Sequence, residues 1–290
     1  MKLGVNSYGK GEVRLVKVVR TPGRHELRDL TVHVALEGEF EAAHTVGDNT
    51  DLLATDTMRN TVYALAKDDL GSIESFAQRL ADHFVEAGPS VTRARVRIEE
   101  HPWDRLGAHE HAFQRGSGGN RVCTVSSDGA VTSGIDDLLV LKTTGSGWEG
   151  YLRERYTSLP ETDDRILCTV VTASWDYSAP ADYDTAWEAA RDAILRTFAD
   201  HYSPSVQYTL LRLGEAVLDA VAEIARVHFS LPNRHHLLFD LSRFGLENDH
   251  EIFHATDEPY GLIEGTVERV PASGSAEDNG LVEAAARASR

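Results

Sequence analysis

Cysteine is almost missing from this 290-residue chain, which has only Cys123 and Cys168. They do not form a Cys-x-x-Cys pair, so neither a disulfide scaffold nor a thiolate zinc site organises the fold. No papain-like or caspase-like context surrounds either one, and both read as small strand residues. Such usage suits a reducing compartment. Long apolar runs are also missing. Nothing approaches the roughly 18 consecutive apolar residues of a membrane span. Met1 to Val5 lacks the basic, apolar, small-residue order of an export signal. Ala288-Ser289-Arg290 is not the peroxisomal Ser-Lys-Leu address. A cytoplasmic protein without a membrane partner is expected. Positive charge is scarce: Lys and Arg number 29 against 46 Asp and Glu, a net charge of −17. Nucleic acid and anionic membranes need a basic face, so neither is an expected partner. The same field repels a small anion at long range. An anion site here has to rely on local cations and directed hydrogen bonds.

What is present is an ordinary globular composition, 41% hydrophobic and 26% charged. The length suggests two domains. Val13 to Val19 and Leu30 to Phe40 alternate as strands around a Thr21-Pro22-Gly23 turn. A helix is predicted from Thr55 to about Lys67. A second starts after Ser72, buries Ile73, Phe76, Leu80 and Phe84, and ends at Gly88-Pro89. Val91 to Glu100 reads as a half-exposed strand, and Ala112 to Val131 as a strand pair turned at Gly116 to Gly119. The order then repeats. Asp137 to Thr143 and Arg165 to Trp175 are strands. A helix starts at Thr185, with Thr185 and Glu188 as its capping box. Another runs from about Pro204 to Val227. His236 to Leu241 and Tyr260 to Arg269 are strands. Strands and paired helices in a repeated order predict an α+β architecture. The expected units are 1–134 and 135–270, with 271–290 a mobile tail.

Taken singly, the polar candidates are unremarkable. Lys10 is a solvated lysine before a strand. Thr55 is a helix N-cap. Arg165, after Asp163 and Asp164, is half of a surface ion pair. Gln207 sits solvated in a first helical turn. His235 and His236 are strand neighbours facing opposite ways, so at most one enters a given site and they make a poor metal pair. His109-Glu110-His111, with His101 nearby, has metal-ligand spacing but reads as a polar loop. Arg93, Arg95 and Arg97 read as a solvated or ion-paired row. Gly116 to Gly119 lacks the setting and Lys of a phosphate loop and reads as a hairpin turn.

Several stretches change their weight when taken together. They are Tyr8-Gly9-Lys10 with Val13-Arg14-Leu15-Val16-Lys17-Val18, the run Asp48 to Tyr63, Thr157 to Leu167, Ser205-Val206-Gln207, Ser230 to His236, and Tyr260-Gly261-Leu262-Ile263-Glu264. In this order and spacing, over roughly residues 8–269, the chain resembles urate oxidase (uricase). The resemblance implies tandem tunnelling-fold (T-fold) domains, each an antiparallel sheet backed by two helices. It also implies an oligomeric barrel in a homotetramer with active sites at subunit interfaces.

The implied reaction is cofactor-free oxidation of urate by O2 and water to 5-hydroxyisourate and hydrogen peroxide, with no metal. Arg165 falls on the urate-binding arginine, whose fork can bond a purine edge twice. Gln207 falls on the binding glutamine, which offers a donor and an acceptor in one plane. Val206 and Ile263 line the same pocket, and Thr55 and Asp56 reach in from a neighbouring subunit. Trp148 stands where the family places a phenylalanine over the purine ring. Lys10, Thr55 and His235 fall on the proton relay, where a lysine base needs a lowered pKa. Asn233 falls on the residue that holds O2 or water above the ring. Two other readings remain: a relative acting on a pterin or purine with zinc, and a non-catalytic purine binder. A binder would need Arg165 and Gln207 but not the relay.

Overall fold

The computed structural model describes residues 2–270; the 271–290 tail expectation lies outside them. The elements in order are strands β1 (Tyr8–Thr21) and β2 (Arg24–Gly38), and helices α1 (Glu41–Thr45), α2 (Thr55–Leu65) and α3 (Ile73–Ala87). Then come strands β3 (Val91–Glu100), β4 (Trp103–Arg105), β5 (Phe113–Arg115), β6 (Asn120–Ser126), β7 (Val131–Lys142) and β8 (Leu167–Tyr177). Helices α4 (Tyr183–Asp200) and α5 (Val206–Ala220) follow, then β9 (Ile224–Leu238), a 3-10 turn (Ser242–Phe244) and β10 (Phe253–Glu268). No described helix is long and apolar enough to cross a membrane.

Eight strands form one antiparallel sheet in the order β1-β2-β3-β6-β7-β8-β9-β10. Strand alternation sorts its two faces. Leu30, Val32, Val34 and Leu36 of β2 point to one side and are buried with Met58 of α2 and Phe76, Leu80 and Phe84 of α3. A second cluster, from Ile135 to Leu231, packs β7, β8 and β9 against Ile194, Leu213 and Val217 of α4 and α5. The other face of the sheet is largely polar, and there the Arg93–Arg97 row is ion-paired to Glu37, Asp128 and Glu99.

The first strand of each half carries the same irregularity. Register shifts between Lys10 and Val13 in β1, and between Ile135 and Leu138 in β7. Each bulge holds a non-glycine residue in the left-handed region, Glu12 at φ 54° and Asp137 at φ 58°. Bulges of this kind sharpen local twist and re-aim the strand.

Several element boundaries differ from the sequence pattern. The α5 pattern ends at Ala220, not Val227, because Ile224 onward pairs with β8 and β10. The N-cap of α4 is Asp182, whose carboxylate accepts from Thr185 N at 3.2 Å, so Thr185 and Glu188 are not the capping box. Ala54, without a side-chain bond, caps α2, and Thr55 is its first residue. Gly116 to Gly119 is no hairpin turn: β5 pairs with β4, while β6 pairs with β3 and β7. β7 starts at Val131 and continues through its bulge.

Candidate active site

Three converging segments enclose a cavity of about 760 Å³ at the β10 end of the sheet. The first is Ser146 to Trp148. Trp148 N donates to Thr162 O at 2.6 Å and Thr162 N returns to Trp148 O at 3.2 Å, clamping the base of the loop between them. The indole stacks on Tyr151 with ring centroids 5.4 Å apart and planes at 13°. Its ring lines the cavity.

The second segment carries Arg165. Its backbone N donates to Ser146 O at 2.8 Å, and its Nε lies 3.3 Å from Ser146 Oγ. The guanidinium carbon sits 5.9 Å from the Trp148 ring. Burial draws the Arg165 pKa below the ordinary guanidinium value, with a small opposing pull from Tyr202. The group still stays charged, as arginine does in proteins. No carboxylate is within ion-pairing distance of it among the described residues. The expected surface ion pair with Asp163 or Asp164 is not formed: Asp164 instead accepts from Thr144 at 2.8 Å.

The third segment is the start of α5. Ser205 caps it, accepting from Tyr208 N at 3.1 Å, and Val206 and Gln207 face the cavity. Asp56, Glu74 and Asp184 place a carboxylate in the first turn of α2, α3 and α4, but α5 has none there. Its positive end is therefore left uncompensated toward the cavity.

A buried polar seam joins the segments. Ser146 and Ser203 are fully buried and bridge as neighbouring strands. Gly147 N donates to Ser203 O and Ser203 N to Gly145 O, both at 2.9 Å. Ser203 Oγ is 2.7 Å from Thr209 Oγ1, which is 2.9 Å from His201 Nε2. Gly147 leaves room for this packing: a Cβ there would meet Tyr202 Oη at 2.4 Å and Thr162 O at 3.1 Å, so a side chain would have to displace the exposed Tyr202 ring and press on the backbone. These residues carry no motif of their own. The stretches Thr157 to Leu167 and Ser205-Val206-Gln207 flank the seam in the sequence, but neither marks Ser146, Ser203 or Thr209.

Strands β9 and β10 close the remaining wall. Asn233 lies opposite Thr169 of β8 and Gly261 of β10, His235 lies opposite Thr256, and Ile263 opposite Leu231. Both His235 and His236 contribute to the lining, contrary to strict alternation. The β9–β10 ladder is interrupted between Thr256 and Gly261, and there the strand face is no longer a flat divide. Among the described residues no group of three or more His, Cys, Asp or Glu could hold a metal ion, the His109–His111 loop included.

Trp148, Arg165, Val206, Gln207, Asn233, His235 and Ile263 are thus brought together. Lys10, Thr55 and Asp56 are not. Lys10 lies on β1, the opposite edge strand of the sheet. Tyr8, two residues earlier, accepts Leu53 N at 2.9 Å and ties the segment entering Thr55 to that strand. Thr55 and Asp56 are exposed, and Asp56 pairs with Arg59 at 2.6 Å.

The uricase family profile matches residues 6–126 and 131–264. The chain belongs to the uricase family. It is 46% identical over 271 residues to a uricase of Arthrobacter globiformis, covering 92% of this chain and 90% of that protein. It is 41% identical over 276 residues to a uricase of Dictyostelium discoideum, covering 91% and 96%. A crystal structure of the Arthrobacter globiformis uricase superposes with a TM-score of 0.90 at 45% identity, over 96% of this chain and 98% of that one. Urate oxidase from Bacillus sp. TB-90, at 23% identity and a TM-score of 0.79, shares the fold over 91% and 100% of the chains. The α+β sheet with its paired helices is thus the uricase T-fold architecture.

Proposed function

We propose that this chain is a urate oxidase, converting urate, O2 and water to 5-hydroxyisourate and hydrogen peroxide without a cofactor. The carrying observation is the Arg165 guanidinium, half-buried and without a carboxylate at ion-pairing distance among the described residues, set between the Trp148 ring and the uncompensated start of α5. A flat purine anion answers each feature: charge for the fork, a planar edge for the Gln207 amide, a π-face for the indole. Val206 and Ile263 confine its apolar edges.

Substrate deprotonation falls to Lys10, Thr55 and His235, with Thr55 able to pass a proton because its hydroxyl both donates and accepts. Asn233 holds O2 or water over the ring, and the urate dianion itself supplies the electrons. This assignment needs two chains. Edge strands of an eight-stranded sheet lie roughly 34 Å apart along it, at about 4.8 Å between neighbours, so β1 and β10 of one chain do not meet in an open sheet. A second chain laying its β1 against β10 would deliver Lys10, Thr55 and Asp56 to the cavity. The two apolar clusters, meeting between Val125 and Ile135, support T-fold units at 1–134 and 135–270. We accordingly propose a cytoplasmic homotetramer with sites at subunit interfaces. A zinc-dependent pterin or purine enzyme would need a ligand cluster, which is lacking among the described residues.

The test is urate consumption with simultaneous O2 uptake in chelator-treated buffer without added cofactor. Matched loss of both with peroxide formation supports the reading. No consumption of either refutes it.

A further inference from the structure

The sheet register relates the two halves residue by residue. Aligning the two bulges sets Lys10 on Ile135 and Val13 on Leu138. Val32, opposite Val13, then falls on Val171, opposite Leu138. Ile98, opposite Val32, falls on Leu231, bracketed by the Thr172–Ser230 and Thr169–Asn233 pairs. Cys123, opposite Ile98, falls on Ile263, opposite Leu231. Two residues along, Glu100 falls on Asn233 and Arg121 on Gly261. The helices agree. The side-chain N-caps Ser72 and Ser205 set Glu74 on Gln207, and the N-caps Ala54 and Asp182 set Asp56 on Asp184.

The first half therefore has a counterpart of the substrate cavity, at the β6–β7 seam. The second-half cavity is open where Gly261 stands; a Cβ there would find nothing nearer than Ile263 Cδ1 at 3.9 Å. In the first half the same register position carries Arg121, and its side chain runs inward. Arg121 Nη2 donates to Glu74 Oε2 at 2.7 Å and Nη1 to Asp184 Oδ1 at 2.6 Å. Ser133 Oγ donates to Glu74 Oε1 at 2.5 Å. The guanidinium carbon lies 5.4 Å from the Trp187 ring. The Glu74 side chain is 0% exposed and that of Arg121 11%. A planar group held by a residue at the second position of a helix, backed by an aromatic ring and bounded by the next helix's first turn, is ligand geometry.

We propose that each chain holds a second ligand-type site at this seam, occupied in cis by the guanidinium of Arg121, and that the free site would take planar cations with a guanidine or amidine edge. Glutamate in place of glutamine reverses the sign of the ligand. Gln207 beside Arg165 suits a planar anion, whereas Glu74 with Asp184 suits a planar cation. The comparison rests on Arg165 and Gln207 being the substrate site, but the test uses no urate, so either reading can fail without the other.

The full-length Arg121→Gly variant is melted in guanidinium chloride well below denaturing concentrations, with potassium and tetramethylammonium chlorides at equal ionic strength as controls. A ligand that binds the folded state raises the melting temperature. Guanidinium should raise that of Arg121→Gly while lowering that of the parent chain, and neither control salt should raise it. Guanidinium lowering both overturns the proposal. If Arg121→Gly does not fold, the equivalence is tested at the open site. Gly261→Arg combined with Gln207→Glu should melt above the sum of the single effects, as a paired Arg and Glu require. Additive or worse behaviour there overturns the proposal too.

Discussion

The proposed selectivity for a planar anion turns on few atoms. Arg165 has no carboxylate partner among the described residues, and only its Nε is engaged, at 3.3 Å from Ser146 Oγ, so its two Nη groups are available to a ligand. Charge-assisted bonds contribute about 1.5–3 kcal/mol, so Arg165→Ala should raise the urate KM by roughly 10- to 150-fold, and Arg165→Lys should not restore it. Unchanged saturation by urate would remove Arg165 from the site. Lys10→Met should slow turnover while leaving 8-azaxanthine affinity close to that of the parent, measured by kcat and by inhibitor titration side by side. His201 offers a test through stability. Burial first, opposed by its bond to Thr197 O, holds its pKa below the ordinary imidazole value of 6.5. The folded chain then binds fewer protons than the unfolded one below about pH 6.5, so stability should fall as pH drops through that value toward the depressed one. His201→Gln should flatten this part of the melting-temperature profile, whereas an identical profile would exclude His201 as its source. Of these residues, Arg165 and Gln207 were legible only through the family motifs. Their own neighbours in the sequence suggest surface chemistry, and burial of the guanidinium comes from segments far along the chain.

At the level of elements, the cavity depends on strand-like contacts made by a loop. Ser146, Gly147 and Trp148 pair on one side with Ser203 and on the other with Thr162. That seam holds the arginine and the indole at a fixed separation from α5. Gly147→Ala would drive a Cβ to 2.4 Å from Tyr202 Oη and 3.1 Å from Thr162 O. Tyr202 Oη, the end of an exposed side chain, can swing aside, but the close approach to Thr162 O presses on the Trp148–Thr162 pairing, so the variant should lose urate affinity and change its tryptophan quenching on 8-azaxanthine binding. Parent-like values in both would show that the seam tolerates displacement. Elements with strong local signals were readable: α3 has its Ser72 cap and a clean apolar stripe, and β2 and β3 alternate. The start of β9 was not. Leu213, Val217, Val221 and Ile224 continue at helical spacing, but Ile224 onward is claimed by ladders to β8 and β10, and long-range pairing overrides the local period. The Ser203 seam was unreadable for a similar reason, since serines near a turn have no periodic signature.

At the scale of the whole molecule, the sheet has two unlike edges. The β1 edge brings Lys10, Thr55 and Asp56, while the β10 edge brings Arg165, Gln207 and His235. Within the chain the β6–β7 seam already shows how such edges meet: Asp184, at the start of one half's first helix, reaches the residues around Glu74, at the start of the other half's second helix. A second chain continuing the sheet past β10 would set Asp56 and Thr55 against Gln207 in the same relation. In the proposed two-chain arrangement, symmetry makes the consequence countable. Lys10→Met slows turnover, and Arg165→Ala weakens urate binding, at every site of its own oligomer. When the two are co-expressed in equal amounts and assemble at random, about one site in four takes Arg165 from one parent and Lys10 from the other. At a urate concentration that saturates the parent but not Arg165→Ala, the mixture should therefore recover roughly one quarter of the parent rate per site, above the residual rates of the two single variants. Recovery confined to the background of the single variants would mean that Lys10 and Arg165 serve the same chain's site, and that the β1 edge meets something other than β10.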